Sequence, residues 1–378
     1  MLFILIAPAV LIIFLFRKSL FIAFSVCFYF LLLFYIPTLF EQSFLDFGLT
    51  YGSDSYYYYN EVRSSLSGNS ACGDSLAPFF VCLNYFNLFF LEDVNHYSIV
   101  VLSVFIMSFS YVIVSSAVPK LNESQSVKLH LLFFILIINP VVILTVLRGF
   151  KEVYVFCSYA LLLCSAVKHD EGKFLFSLLL FVVSCFVMDL LKPYGFIFVL
   201  IPGLAYIFFR YFSFKVLFIY FSVFLLFSEV LFEYVELLLD YSKAHQALHD
   251  SDGVLSLSSI LRFIFGPGPY YSLSQFLYSD RFVVFTKTGD IINFIGSVHW
   301  YLMFFCFISL ALLHRERFAV YLRTPMLVFF LAGVFYILVY SITYDGTGDL
   351  RHRAVLYFVW STFFAPFVFS AFSKNSEA

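Results

Sequence analysis

Apolar runs of about twenty residues, some shorter, alternate along the chain with short polar breaks. A helix of about 20 apolar residues crosses the hydrocarbon of a bilayer, and polar anchors at the ends allow somewhat fewer. On that measure the pattern predicts eleven spans, at 2–16, 19–40, 97–119, 129–147, 153–168, 174–189, 194–209, 216–239, 291–313, 326–342 and 354–372. Segment 76–91 is apolar but short, and Asn84 and Asn87 interrupt it, so it reads as an interfacial or re-entrant helix. Two longer stretches, 41–96 and 240–290, lie between spans. The expected architecture is all-α: a polytopic integral membrane protein with about 11 transmembrane helices, residues 1–378 forming one transmembrane domain. The first run, Met1 to Phe16, lacks a basic leader and is followed by Arg17 and Lys18 and another apolar run, so it reads as a span and not as a cleaved signal.

Composition agrees with the pattern. The 378 residues are 62% hydrophobic and 12% charged. Soluble domains carry about 25% charged residues. Half that density cannot cover a water-exposed surface, which excludes a soluble enzyme, a nucleic-acid binder and a disordered chain. The 56 phenylalanines read as a coding bias at apolar positions and carry no argument for a cofactor.

The charges set an orientation. One set of connections holds Arg17, Lys18, Lys120, Lys128, Lys168, Lys173, Arg210, Lys215, Arg315, Arg317, Arg323 and Lys374 against five acids, a net of +7. The other face has a net of −9. Basic loops stay on the cytoplasmic side. The expected topology is therefore N-terminus out and C-terminus in, with 41–96 and 240–290 as large periplasmic loops. The cytoplasmic connections are too short to house a soluble site, so any chemistry belongs to the outward face.

Three short outward connections break the charge bias. They hold Arg148, Lys151 and Glu152; Asp189 and Lys192; and Asp345, Asp349, Arg351 and Arg353. Ionisable groups near membrane depth face a cavity or one another. Local ion pairs are one reading: Arg148 with Glu152, Asp189 with Lys192, Asp349 with Arg353. The other is convergence on an anion, since guanidinium forks match phosphate oxygens. In the first large loop Asp54 precedes Tyr56, Tyr57, Tyr58 and Tyr59. Asp54 is the first candidate for a general base and Glu61 the second. Tyrosines in a polar loop suit a sugar face or an interfacial aromatic belt. The second loop holds His245 and His249 beside Asp250 and Asp252, with no third ligand at matching spacing, so no metal site is expected. The run from Gly266 to Tyr271 reads as a rigid turn beside aromatics. Cys72 and Cys82 lie in the outward segment, where a disulfide is one option.

The acidic-aromatic stretch Asp54 to Tyr59, Arg148-x-x-Lys151-Glu152, the late outward loop and Gly348-x-x-Arg351-x-Arg353 together resemble bacterial repeat-unit polymerases, the Wzy-type O-antigen and capsule polymerases. The plan is also similar to the wider GT-C class of membrane glycosyltransferases. The resemblance implies an enzyme of the bacterial inner membrane whose active face is periplasmic. It transfers a glycan from undecaprenyl pyrophosphate onto a second lipid-linked repeat unit. Asp54 or Glu152 would take the acceptor proton. Arg148, Lys151, Lys192, Arg351 and Arg353 would hold the pyrophosphate, and Tyr56, Tyr57, Tyr59 and Tyr270 the sugars. No cofactor is implied. The implied partners are lipid-linked glycans, membrane lipid, a chain-length regulator and a flippase, with no nucleic acid. Two alternatives stand beside it: a GT-C transferase with a polyprenyl-phosphate-sugar donor, which needs the same face and almost the same residues, and a flippase for lipid-linked oligosaccharide, which predicts charges buried mid-span and two similar halves.

Overall fold

A computed structural model describes residues 54–75, 77–91, 96–117, 139–192, 195–210, 257–265, 284–343 and 350–372. Every regular element among them is helical. In chain order these are α1 (Asp54–Leu66), α2 (Pro78–Leu91), α3 (His96–Ala117), α4 (Pro140–Leu147), α5 (Glu152–Asp170), α6 (Phe174–Leu191), α7 (Ile197–Arg210), α8 (Leu257–Phe265), α9 (Val284–Leu313), α10 (Arg315–Tyr321), α11 (Leu327–Thr343) and α12 (Leu350–Phe372). Helices α3, α4, α5, α6, α7, α9, α11 and α12 fall on expected spans, α4 on the latter part of 129–147. The expected spans 2–16, 19–40 and 216–239 lie outside the described residues.

By length and composition, segments Phe174–Leu191, Ile295–Leu313 and His352–Ala371 suffice to cross a membrane. Leu102–Tyr111, Ile197–Arg210 and Leu327–Ser341 are shorter apolar helices. The helical plan suits the solvent: in hydrocarbon each backbone N–H and C=O must be satisfied, and a helix does so within its own segment.

The bundle is organised around α5, which packs against α3, α4, α6, α7, α11 and α12. Its residues from Val153 to Phe156 are buried, as are Tyr159, Ala160, Leu162 and Leu163. Serines hold α5 to α6. Ser158 and Ser184 each donate to the other's carbonyl, at 2.8 and 2.7 Å, and Ser165 and Ser177 do the same at 2.8 and 2.9 Å. Small hydroxylated residues let helix backbones approach closely, and here they also bond across the seam. The outer face of α6 is the reverse of its serine face. Leu175 is 86% exposed, and Phe174, Phe176, Leu178, Leu179, Val182 and Phe186 are exposed with it. A contiguous apolar surface of that size suits lipid and not water.

Helix α12 sits inside the bundle and carries much of its aromatic core. Tyr357 stacks on Trp300 at 4.4 Å, Phe364 on Phe307 at 3.8 Å and Phe358 on Phe156 at 4.6 Å. Phe307, Phe358 and Phe364 are thus packing units of α9 and α12.

The two long stretches 41–96 and 240–290 contain helices of their own. The tyrosine-rich segment is α1, which packs on α2. A disulfide joins Cys72 to Cys82 in the first half of α2. Segment 76–91 is helical from Pro78 to Leu91. The buried Asn84 side chain donates to the Phe80 carbonyl at 2.9 Å and to the Tyr154 hydroxyl at 3.2 Å, so α2 is bound to α5. In the second stretch, α8 packs on α11, and the Trp300 indole N–H donates to the Ile264 carbonyl at 2.9 Å.

Candidate functional site

The site begins at the connection between α4 and α5. Asn139 caps α4, accepting from the Val141 N–H at 2.9 Å, and Pro140 follows at the first helical position. Arg148 closes the helix, and Gly149 then takes a left-handed φ of 62°. That conformation favours glycine and breaks the helix. The spacing of four between Arg148 and Glu152 therefore does not lie on one helix, and the local pair read from the sequence does not form. Arg148 instead lies over the Phe150 ring at 5.9 Å. Glu152 becomes the first residue of α5 and is fully enclosed, at 0% exposure. Neither of its carboxylate oxygens has a hydrogen-bond partner among the described residues.

Lys192, at the end of α6, supplies the facing charge. Its backbone leaves the helix in an extended conformation. The Gly195 N–H then bonds back to the Lys192 carbonyl at 2.8 Å. This turn aims the side chain inward. The ammonium lies 4.0 Å from the Glu152 carboxylate and donates to the Tyr340 hydroxyl at 2.7 Å, with the Tyr336 hydroxyl at 3.5 Å. It also sits 5.2 and 5.7 Å from the centres of those two rings, within cation–π range. The local alternative, Asp189 with Lys192, is not the ion pair that forms.

Tyr336 and Tyr340 are one helical turn apart on α11 and stack at 4.3 Å. Phe198 of α7 and Phe263 of α8 flank Tyr340 at 5.9 and 5.7 Å. His352, in the first turn of α12, lies 4.5 Å from Tyr340 and is buried. Four helices thus bring Glu152, Lys192, Tyr340 and His352 together at one end of the bundle. Tyr336 and Tyr340 carry no obvious signal in the sequence beyond their spacing of four in an apolar run, whereas His352 stands between Arg351 and Arg353 in a dense cation cluster.

The neighbouring cations have aromatic partners at the same end. The Lys151 ammonium donates to the Tyr58 hydroxyl and lies 4.8 Å from its ring centre. Tyr58 continues into Phe80 at 5.5 Å, and Phe80 into Tyr154 at 5.0 Å. Arg353 is buried in the first turn of α12.

The other expected residues are placed as follows. Tyr57 is 48% exposed on α1, and Tyr59 is half-buried. Asp54 and Tyr56 lie on α1 and Arg351 on α12 by their backbone; their side chains are outside the described residues. Tyr270, His245, His249, Asp250 and Asp252 also lie outside them. Glu61 accepts from the Ser75 hydroxyl at 2.6 Å and so ties α1 to the loop beyond it.

The opposite end of the same helices carries a different set of charges. Glu171 bridges Lys173 at 2.8 Å and Lys168 at 2.9 Å. Those two ammonium groups, Lys173 first, hold its carboxyl down to about 2. Asp170 accepts from the Tyr206 hydroxyl at 2.7 Å and meets Arg210 at 3.4 Å. Comparison of the chain with protein-family models, curated proteins and solved structures finds no match.

Proposed function

We propose that the chain is a membrane glycosyltransferase that polymerises lipid-linked oligosaccharide repeat units. One observation carries the reading: Lys192, Glu152, Tyr340 and His352, from four helices, converge at one end of an apolar bundle, and Lys151 and Arg353 adjoin them. Ammonium and guanidinium groups held against aromatic rings at a membrane boundary suit a polyprenyl pyrophosphate headgroup. Tyrosine hydroxyls and ring faces beside them suit sugars.

In the proposed reaction an acceptor hydroxyl oxygen bonds to the anomeric carbon of the donor. The bond from that carbon to the pyrophosphate oxygen breaks, and the hydroxyl proton ends on the departing pyrophosphate. Charge grows on the leaving group, where preorganised cations lower the barrier most. Arg148, Lys151, Lys192, Arg351 and Arg353 serve that role. Glu152 is enclosed. It acts as a positioning residue that fixes the Lys192 ammonium, which leaves Asp54 as the acceptor's base. Tyr56, Tyr57, Tyr59 and Tyr270 line the sugar path.

The orientation belongs to the same proposal. Disulfides persist in oxidising compartments. The Cys72–Cys82 bond lies at the Lys151 end, near Phe80, so that end faces the periplasm of a bacterial inner membrane. The basic end at Lys168, Lys173 and Arg210 then faces the cytoplasm.

Deleting the gene in the producing bacterium and resolving its surface glycans on a gel tests the function. A ladder collapsed to a single repeat unit is the expected result. Loss of all repeats would point to assembly or flipping upstream, and an unchanged ladder would overturn the reading. Purified protein supplied with polyprenyl-phosphate sugars separates the single-sugar transferase, which alone would use them.

A further inference from the structure

At the end of the bundle opposite Lys192, a cavity of about 220 Å³ opens between α5, α6 and α7. Its walls include Leu162, Ala166, Phe174, Phe181 and Ile207. Two serines, Ser165 and Ser177, also reach it, but each hydroxyl hydrogen is already given to the other's carbonyl. Ordered water needs two to four polar partners, and this lining offers too few. Hydrocarbon is the filling that its chemistry accepts.

The mouth shows where that hydrocarbon comes from. Phe174 and Leu178 line the cavity and are also 62% and 57% exposed, as part of the apolar outer face of α6. The slot is therefore continuous with the surface that suits lipid tails. His169 and Tyr206 stand at its polar end, and beyond them lie Lys168, Lys173 and Arg210 with the carboxylates Asp170 and Glu171. Among the described residues three cations there exceed two carboxylates, and Lys173 is 60% exposed. An occupant with an apolar tail and an anionic head matches both ends.

We infer that this slot seats one acyl chain of an anionic phospholipid, with its phosphate against Lys173 and Arg210. The site is separate from the Lys192 cluster and does not depend on the proposed polymerase activity. The bound chain completes the packing of α5, α6 and α7. Basic side chains near a membrane surface attract anionic lipid, each by a factor of about five.

The full-length protein, purified in detergent and stripped of lipid, is mixed with phosphatidylglycerol carrying a photoreactive acyl chain. Illumination should label peptides from 162–181 and 203–207. Unlabelled phosphatidylglycerol should compete better than phosphatidylcholine. Ile207→Trp, which fills the slot, should reduce labelling by about tenfold, the factor that 1.4 kcal/mol represents. Lys173→Gln with Arg210→Gln alters only the rim and should abolish the headgroup preference, so it decides the matter if Ile207→Trp does not fold. Equal labelling of the exposed α9 face at Leu302 and Leu312 would mean bulk lipid contact and overturn the inference. So would slot labelling that survives Ile207→Trp in a folded protein, or equal competition by the two lipids.

Discussion

The Lys192 ammonium donates a 2.7 Å hydrogen bond to the Tyr340 hydroxyl, joining the end of α6 to the last turn of α11 across 148 residues of sequence. Lys192 is the point where the charged and aromatic parts of the site meet. A hydrogen bond to a charged group contributes about 1.5–3 kcal/mol. Tyr340→Phe removes the hydroxyl and keeps the ring, with its contacts to Tyr336, Phe198 and His352. The variant is expected to insert normally and to lose long glycan chains by about tenfold or more, as each 1.36 kcal/mol of lost stabilisation costs tenfold. Tyr336→Phe, whose hydroxyl lies at 3.5 Å, should lose much less. Gel densitometry of surface glycan in complemented deletion strains measures both.

Glu152 and Lys192 form a desolvated pair, with side-chain exposures of 0% and 12%. Removing one partner of a buried pair strands the other and costs about 3–5 kcal/mol. Glu152→Gln and Lys192→Met should each lower the unfolding temperature in detergent substantially. The combined variant should recover most of the loss, because neither charge is then left alone. Its recovery of fold without glycan polymerisation would separate the structural part of the pair from the catalytic part. A double variant as unstable as the sum of the singles would show that the two residues do not interact.

Local pattern explains why some of this was legible in the sequence and some was not. Long apolar runs announce α6, α9, α11 and α12, because hydropathy senses the hydrocarbon that the helices must match. The start of α9 at Val284, seven residues before the apolar run begins at 291, is hidden because Thr286 to Asp290 continue the helix with polar residues. The tyrosine stretch reads as loop for the same reason: α1 is held by its docking on α2 and by the Lys151–Tyr58 contact, and not by hydropathy. Charged residues could be located but not paired. Spacing offered Asp189 to Lys192 and Arg148 to Glu152. The helix instead breaks at Gly149 and the backbone is extended at Lys192, and the partner of Lys192 lies forty residues upstream. The aromatic shell of Tyr336, Tyr340 and His352 comes from helix packing, which no local period encodes.

Gly195 is required by the turn that aims Lys192. A Cβ at this position would collide with the Met188 carbonyl oxygen and lie 2.8 Å from the Lys192 carbonyl oxygen. Both obstacles are backbone and cannot rotate away. Gly195→Ala should therefore push the turn outward and carry Lys192 from Glu152, at a cost of about 1–3 kcal/mol. The glycan ladder should shorten, while Gly172→Ala, in the turn at the opposite end, should leave it long. Equal effects of the two substitutions would mean that general destabilisation, and not the position of Lys192, governs chain length.

The disulfide tests the placement of α1. Cys72 and Cys82 are ten residues apart, and closing so short a loop stabilises by about 2–3 kcal/mol. The bond fixes the loop after α1 to α2, whose Phe80 packs against Tyr58, the partner of Lys151. Cys72→Ser with Cys82→Ser should loosen α1, raise proteolysis between Ser67 and Ser75 and weaken the Lys151–Tyr58 contact without displacing α5 and α6, which the paired serines hold independently. In intact cells a membrane-impermeant maleimide should not react with either cysteine until a reductant is added, and afterwards should label both. Labelling before reduction would show that the two thiols are free. No labelling even after reduction, with a positive control at another outward position, would place this end of the bundle on the cytoplasmic side and reverse the proposed orientation.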